Sequence, residues 1–282
     1  MASGSSKKKS GKNAVSAARS SVVSNKGKPW GTIAAIVAVV LLAVGVIGYA
    51  VVQVSGAEKF TASEDNKDPS VNIPGVVRTE YTQGQHVTGE QRVNYDQSPP
   101  YGGPHDQAWA DCTGVVYPVP VRTENMIHTL EHGAVWIAYN PDKIQGGDLD
   151  KLKAKVEGQP YMSLSPYPGL DKPFSLQSWG HQLKLENVDD ERVDQFIKAL
   201  RSNSYQNPEP GARCDTNQTG FDPANPPPFI AEKPGPDAIG MDGKGAVQQA
   251  PGDQPIQPPS GTGAPVPPGI PGLPTGAPAP GQ

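Results

Sequence analysis

Two histidines and a glutamate in the segment Met126 to Tyr139 are the residues whose types and spacing most clearly indicate chemistry. If the start of this segment is helical, His128, Glu131 and His132 occupy positions i, i+3 and i+4, which share one face of a helix. Imidazole nitrogens and a carboxylate on one face can bind one metal ion. The spacing therefore predicts a metal site at the end of a short helix.

A third imidazole is available in the loop from Tyr101 to Asp106. This loop is rich in glycine and proline, and glycine lets a backbone approach another element closely. We predict that His105 joins His128 and His132 as a metal ligand, with Glu131 as a further ligand or a hydrogen-bond partner behind them. Such a set suits zinc or copper. The alternative is that the histidines are buried, hydrogen-bonded residues that hold the helix to the sheet.

The five residues from His128 to His132 also match H-x-x-E-H, the pattern of the inverted zincin proteases. Gly133 is expected to end the helix at once, whereas the motif helix of those proteases continues, and Glu209 lies in a proline-flanked loop. A metal hydrolase is therefore the third hypothesis, and we predict no catalytic residue. The first hypothesis is a module for copper or zinc handling or an accessory of a membrane complex. The second is a non-catalytic structural or interaction domain of a cell-envelope assembly.

The elements that position these residues are short and of mixed type. The run after Gly133 (AVWIAY) is typical of a strand buried on both sides, and Asp148 and Asp189 are predicted N-caps of two further helices. Other strands are expected near residues 85–95, 115–119, 161–165 and 174–186, the last with a bulge near 178–180. His86 is predicted to be exposed on the first of these strands, and His181 to be a hydrogen-bonded core or edge residue of the last. We predict an α+β domain over residues 79–215, a small, mostly antiparallel sheet with two or three helices.

The two cysteines, Cys112 and Cys214, bracket most of this domain. A cysteine pair in an oxidising compartment is most simply a disulfide, so we predict a bond between them in preference to a metal-ligand role for Cys112. Closing a loop of this size would stabilise the fold by about 4 to 5 kcal/mol in the chain-entropy model.

The N-terminal part of the chain predicts a membrane anchor. Residues 1–30 carry seven Lys or Arg and no acidic residue, whereas the rest of the chain has a net charge of -11. The segment Thr32 to Val54 supplies 23 mostly apolar positions, enough to cross a hydrocarbon layer of about 30 Å. We predict a transmembrane helix over 32–54, not a signal peptide, with residues 1–28 in the cytoplasm and the chain after about residue 57 outside the cell membrane. The basic arm is then a topology signal, and no nucleic-acid binding is expected.

Three segments are predicted to lie outside packed structure. They are a disordered basic arm (1–28), a polar linker (58–78) and a disordered tail (222–282), whose last 32 residues hold 11 Pro and 7 Gly. Such compositions cannot repay the entropy of ordering by burial. The expected partners are the lipid bilayer and an envelope or membrane protein complex.

Four motifs resemble those of a family of membrane-anchored actinobacterial proteins that contain a domain of unknown function. The motifs are a Pro-Pro-x-Gly-Gly-Pro-His loop at Pro99 to His105, the His-x-Leu-Glu-His-Gly core at His128 to Gly133, the strand end at Tyr139 to Pro141, and Ser-Trp-Gly at Ser178 to Gly180. The resemblance covers roughly residues 78–205. It implies an anchored extracytoplasmic domain and carries no assigned activity.

Overall fold

The N-terminal part of the structure is one long helix. In the computed structural model of the chain, which describes residues 29–217 and 219–248, helix α1 spans Trp30–Glu58. Its segment Trp30–Ala50 of 21 residues has a mean hydropathy of 2.7 over its most apolar 18-residue window and is about 31 Å long at 1.5 Å per residue. The helix is long and apolar enough to cross a membrane, and a signal sequence has the same properties. The predicted arm (1–28), and the predicted tail beyond residue 248, lie outside the described residues.

The unit that begins at Ser55 is built from short elements. Its helices are α2 (Thr123–Glu131), α3 (Gly146–Val156) and α4 (Arg192–Leu200), with a 3-10 turn at Pro69–Asn72. Its strands are β1 (Val77–Arg78), β2 (Gln85–Val87), β3 (His105–Asp106), β4 (Thr113–Val116), β5 (Val135–Tyr139), β6 (Met162–Pro166), β7 (Phe174–Ser178), β8 (His181–Leu185) and β9 (Val247–Gln248).

Six strands form the main sheet, in the order β1-β8-β7-β5-β6-β4. The pairs β1/β8, β8/β7 and β7/β5 are antiparallel, whereas β5/β6 and β6/β4 are parallel. The predicted fold class, α+β with a mostly antiparallel sheet, is confirmed.

Strand β5 shows how the sheet separates two apolar layers. Its residues alternate between faces, as the period of a strand requires. Val135 and Ile137 pack in the cluster that includes residues of α3 and α4, whereas Trp136 and Ala138 pack in the cluster that includes Met126, Ile127 and Leu130 of α2. Helix α2 is therefore fixed on the opposite side of the sheet from the other two helices.

The predicted bulge near residues 178–180 is instead a turn. Strands β7 and β8 form an antiparallel hairpin in which Ser178 pairs with His181, so Trp179 and Gly180 are its two loop residues. Gly180 has a φ of 71°, which a glycine adopts without steric cost. The change of apolar phase in the sequence thus marks the reversal of the chain, and the first predicted strand is also shorter than expected, ending at Val87.

The predicted helix caps are displaced by a few residues. Helix α3 begins at Gly146 with Gln145 as its N-cap, so Asp148 lies in the first turn, where its charge favours the helix dipole. Helix α4 begins at Arg192, and Asp190 rather than Asp189 accepts a hydrogen bond from the Arg192 backbone N–H (3.0 Å).

A second, three-stranded sheet has the order β3-β2-β9. Strand β9 and the bridge between Val93 and Ile239 bring part of the predicted tail onto the domain, where Phe221 and Ile239 are buried. The prediction of a disordered tail from residue 222 is therefore wrong for the described part up to residue 248. Isolated apolar residues anchor this proline-rich segment although its composition lacks periodicity.

The predicted linker (58–78) is also packed. Ile73 is buried in the core, β1 pairs with β8, and the Asn203 side-chain amide donates to the Lys67 carbonyl (3.0 Å). These contacts make its C-terminal half part of the domain, which starts before residue 79.

Cys112 and Cys214 are joined by a disulfide with an S–S distance of 1.98 Å across a sequence separation of 102 residues. The Cys112 backbone N–H donates to the Cys214 carbonyl (3.1 Å). The chain after α4 is thereby held beside the start of β4.

Candidate metal centre

The C-terminal end of α2 supplies three polar side chains. His128 and Glu131 lie in the helix and His132 is its C-cap residue; all three are buried. Gly133 follows with a φ of 92°, and a Cβ built there would lie 3.0 Å from the Asn207 side chain. The helix therefore ends at the predicted place, because only glycine combines this backbone conformation with so close a neighbour.

The small sheet brings two more histidines to this helix end. Strands β2 and β3 are parallel, with His86 opposite His105, so their rings lie 5.0 Å apart. The His128 ring is 4.7 Å from that of His105 and 5.0 Å from that of His86. His105 lies beside His128 as the sequence predicted. His86 was predicted to be exposed, but it is half-buried and joins the cluster.

Backbone carbonyls fix the orientation of three of the rings. The Nδ1 atom of His105 lies 2.8 Å from the Gly103 carbonyl, that of His128 lies 2.6 Å from the Asp106 carbonyl, and that of His132 lies 2.6 Å from the Arg213 carbonyl. A carbonyl oxygen can only accept, so each Nδ1 carries the proton. In the neutral ring each Nε2 therefore carries a lone pair, which is how protein structures prepare a histidine to bind a metal.

The ligand atoms of these residues fall into two overlapping groups. Among the described residues, one ligand atom each of His86, His105, His128 and Glu131 lie within 4.8 Å of one another; we call this set the Glu131 group. The corresponding atoms of His128, His132 and Glu209 form the Glu209 group. The four predicted ligands are thus close together but are divided between two groups. His132 is not in the group of His105, because the two lie on different sides of His128. A ligand role for the four stays a prediction.

Three buried atoms of the Glu131 group lack a hydrogen-bond partner among the described residues. They are Nε2 of His86, Nε2 of His105 and Oε2 of Glu131. The last two are 3.2 Å apart, while the other Glu131 oxygen accepts from the Gly84 backbone N–H (2.9 Å). Buried polar atoms are rarely left without partners in native proteins. Nε2 of His105 and Oε2 of Glu131 can pair with each other only when His105 is protonated, so in the neutral state all three atoms are available to a metal ion.

Burial and charge set the protonation of this cluster. Burial lowers the pKa of His128 well below its usual value, and the neighbouring His105 and His132 lower it further. Burial also lowers the pKa of His86, again with a contribution from His105. Burial disfavours a charge on His105 as well, but the Glu131 carboxylate outweighs it and raises the pKa of His105. Two of the imidazoles are therefore neutral near pH 7, the form that binds a metal.

In the Glu209 group a carboxylate contacts an imidazole directly. Oε2 of Glu209 lies 3.2 Å from Nε2 of His132. Burial alone would raise the pKa of Glu209, but the hydrogen bond and charge of His132 lower it, so Glu209 is ionised near pH 7. Trp109 packs against this group, with its ring 4.7 Å from that of His132 and 5.4 Å from that of His128.

Sequence reasoning missed His86 and Glu209. His86 reaches the cluster through the pairing of β2 with β3, which no local pattern indicates. Glu209 reaches it because its backbone N–H donates to the Glu131 carbonyl (3.0 Å). The predicted disulfide was a usable signal for Glu209, since Cys112 and Cys214 place the chain near residue 209 beside the segment that follows His105.

His181 is the remaining histidine, and it belongs to neither group. Its Nδ1 donates to the Trp179 carbonyl (2.6 Å), and its Nε2 lies 3.5 Å from an oxygen of Asp68. It is buried and partnered, as the sequence predicted.

Residues 86–216 match the model of a family described as a protein of unknown function (DUF3105). The matched region contains every member of the Glu131 and Glu209 groups and both cysteines. Neither the curated proteins nor the solved structures gave a match.

Proposed function

We propose that the domain binds one divalent transition-metal ion, zinc or copper, through the Glu131 group, and that it does so outside the cell membrane in metal handling or as an accessory of a membrane complex. Three imidazoles and one carboxylate are the donor types that Zn²⁺ and Cu²⁺ take from proteins. Four donors complete a tetrahedral shell, which suits a site that holds a metal rather than one that activates water.

The observation that carries this proposal is the combination of fixed rings and unpartnered atoms. In the Glu131 group, Nδ1 of His105 and of His128 donates to a backbone carbonyl, so Nε2 of each ring is a free ligand atom. Nε2 of His105 and Oε2 of Glu131 are fully buried and 3.2 Å apart, and with His105 neutral there is no proton between them to form a hydrogen bond. Burying such atoms costs roughly 1 to 3 kcal/mol each unless a partner is supplied. A bound cation would supply it for all of them at once.

The proposed location rests on three features. The helix Trp30–Ala50 is apolar enough for a membrane span, the Cys112–Cys214 disulfide favours an oxidising compartment, and the seven basic residues before the helix favour a cytoplasmic N-terminus. We include in the proposal an actinobacterial cell envelope, on the motif resemblance given above.

We propose no hydrolytic role. One oxygen of Glu131 accepts from the Gly84 N–H and the other faces His105, so this carboxylate is placed as a ligand. A general base needs an oxygen directed at a water or substrate.

The test is a zinc and copper titration of the full-length chain in detergent, followed by metal analysis after removal of excess ion. We expect one ion per chain, and loss of it in both His105→Asn and Glu131→Gln. Asparagine keeps an N–H near the position of Nδ1, so His105→Asn removes mainly the ligand atom. His181→Asn is the matched control, because His181 is equally buried with the same Nδ1 hydrogen bond, and it should bind as wild type does. Folded wild-type protein that takes up neither metal would refute the proposal.

A further inference from the structure

We propose that His128 is shared between two mutually exclusive metal positions, the Glu131 group and the Glu209 group, and that an ion enters and leaves the Glu131 group by passing through the Glu209 group. The inference rests on the proposed metal site and adds the route by which its ion exchanges.

His128 can bind only one ion at a time. Its Nδ1–H donates to the Asp106 carbonyl (2.6 Å), which leaves a single lone pair, on Nε2. Both groups include this residue. An ion in one group therefore deprives the other group of its central ligand, and the two positions cannot be fully occupied together.

The two groups differ in how completely they can enclose an ion. The Glu131 group offers four donors, whereas the Glu209 group offers three. Each group contains one histidine–carboxylate contact of 3.2 Å that an ion would replace, His105 with Glu131 in the first and His132 with Glu209 in the second. The groups therefore differ in the number of donors, and an ion in the Glu209 group keeps an open coordination position. Metal sites with an open position exchange ligands, whereas closed sites hold the ion.

The spacing allows the ion to move without being released. The ring of His128 lies 4.7 Å from that of His105 on one side and 4.8 Å from that of His132 on the other. An ion bonded to His128 can therefore exchange His132 and Glu209 for His105 and Glu131 while it keeps its bond to His128. At no stage is a bare cation placed in the protein interior, which would be very costly.

Trp109 lies between the Glu209 group and a cavity. This cavity of about 500 Å³ is lined by residues that include Asp106 and Trp109. The Trp109 ring is half-buried and contacts both His128 and His132. One indole side chain thus separates this cavity from the shared ligand and from the Glu209 group.

The experiment measures zinc stoichiometry and zinc release from the full-length chain in detergent. The protein is loaded with Zn²⁺ alone, and release to excess colorimetric chelator is followed by stopped flow. We expect one tightly bound ion per chain. In Glu209→Gln and His132→Asn, one ion should still bind, but release should slow by about tenfold or more, the size of effect expected when a partner of a metal site is lost. His181→Asn is the control and should release zinc at the wild-type rate.

Two results would overturn the inference and leave the proposed metal site intact. One is tight binding of two zinc ions per wild-type chain with loss of one in either variant, because the positions would then be independent. The other is unchanged release in both variants. Glu209→Gln is isosteric and His132→Asn retains a donor toward the Arg213 carbonyl, so agreement between them separates the exchange route from a folding defect. Absence of bound zinc in the wild type would refute both proposals.

Discussion

At the N-terminal end of α2 the buried carboxylates are paired with an arginine, whereas at the C-terminal end they face only histidine side chains, whose ring nitrogens can also bind a metal. The Arg122 guanidinium contacts Asp106, lies 3.4 Å from Glu124 and donates to the Gln91 carbonyl (2.6 Å). Glu124 in turn accepts from the Val93 backbone N–H (3.1 Å).

The residues at the C-terminal end of α2 are as buried as those at the N-terminal end, but their polar atoms have fewer hydrogen-bond partners. There, Nε2 of His86 has no hydrogen-bond partner among the described residues, and Nε2 of His105 and Oε2 of Glu131 have only each other, at 3.2 Å. Strand β3 joins the two ends, because its consecutive residues serve both: His105 lies in the Glu131 group and Asp106 contacts Arg122. A buried charge network can be complete in itself, as around Arg122, or can leave ligand atoms available to a bound ion, as we propose around Glu131.

The largest expected effect is a loss of folding stability when the charge network at the N-terminal end of α2 is broken. Asp106→Asn removes the charge that faces Arg122 while keeping the side-chain shape, and we expect a loss of about 3 kcal/mol in the free energy of unfolding, at the low end for a broken buried pair because Glu124 remains. Urea denaturation measures it. The variant should still bind metal, since His128 is held by the Asp106 backbone carbonyl. If Asp106→Asn is as stable as the wild type, the Arg122 network does not stabilise the fold.

The second effect is stabilisation by metal. An ion that binds only the folded chain at a concentration of 100 times its Kd should raise the free energy of unfolding by about 2.7 kcal/mol. The gain should appear in the wild type and in Asp106→Asn and be absent in Glu131→Gln. A gain of equal size in Glu131→Gln would place the metal elsewhere.

The third effect is a decrease of metal affinity at low pH. Protons compete for the same lone pairs, so the affinity should fall by up to about tenfold per pH unit for each proton displaced, once the pH drops below roughly 6.5. The Glu131 carboxylate, which overcomes the effect of burial, raises the pKa of His105, so competition there begins at a higher pH than at His128. Chelator competition between about pH 7.5 and about pH 5.5 measures it. A pH-independent affinity would exclude imidazole ligands.

The smallest effect is on the metal-free protein. Glu131→Gln keeps an oxygen for the Gly84 N–H, and its amide can donate to the free lone pair of His105. We expect a stability within about 1 kcal/mol of the wild type, since replacing a buried charge by a matched polar group is often nearly neutral. Urea denaturation in chelator is the measurement. A loss as large as that of Asp106→Asn would mean that Glu131 is structural, like its counterpart at the other end of the helix.

Local patterns predicted the fold better than the site. The i, i+3, i+4 spacing and Gly133 correctly located the end of α2, and the apolar run after it correctly located β5. Both predictions succeeded because helix periodicity and helix ends depend on residues that are neighbours in the sequence. His86 and Glu209 depend on a strand pairing and on one backbone hydrogen bond between distant segments. The ordered stretch up to residue 248 was missed for the same reason, since Ile239 is anchored by contacts with Val93 that composition does not reveal.

The most direct test of the metal site is a crystal structure of the zinc-loaded domain with anomalous data collected at the zinc edge. The account predicts one peak at about 2.0 to 2.2 Å from Nε2 of His86, His105 and His128 and from Oε2 of Glu131. A structure grown with zinc that shows no peak there, and in which these four atoms are bridged by water or by one another, would contradict it.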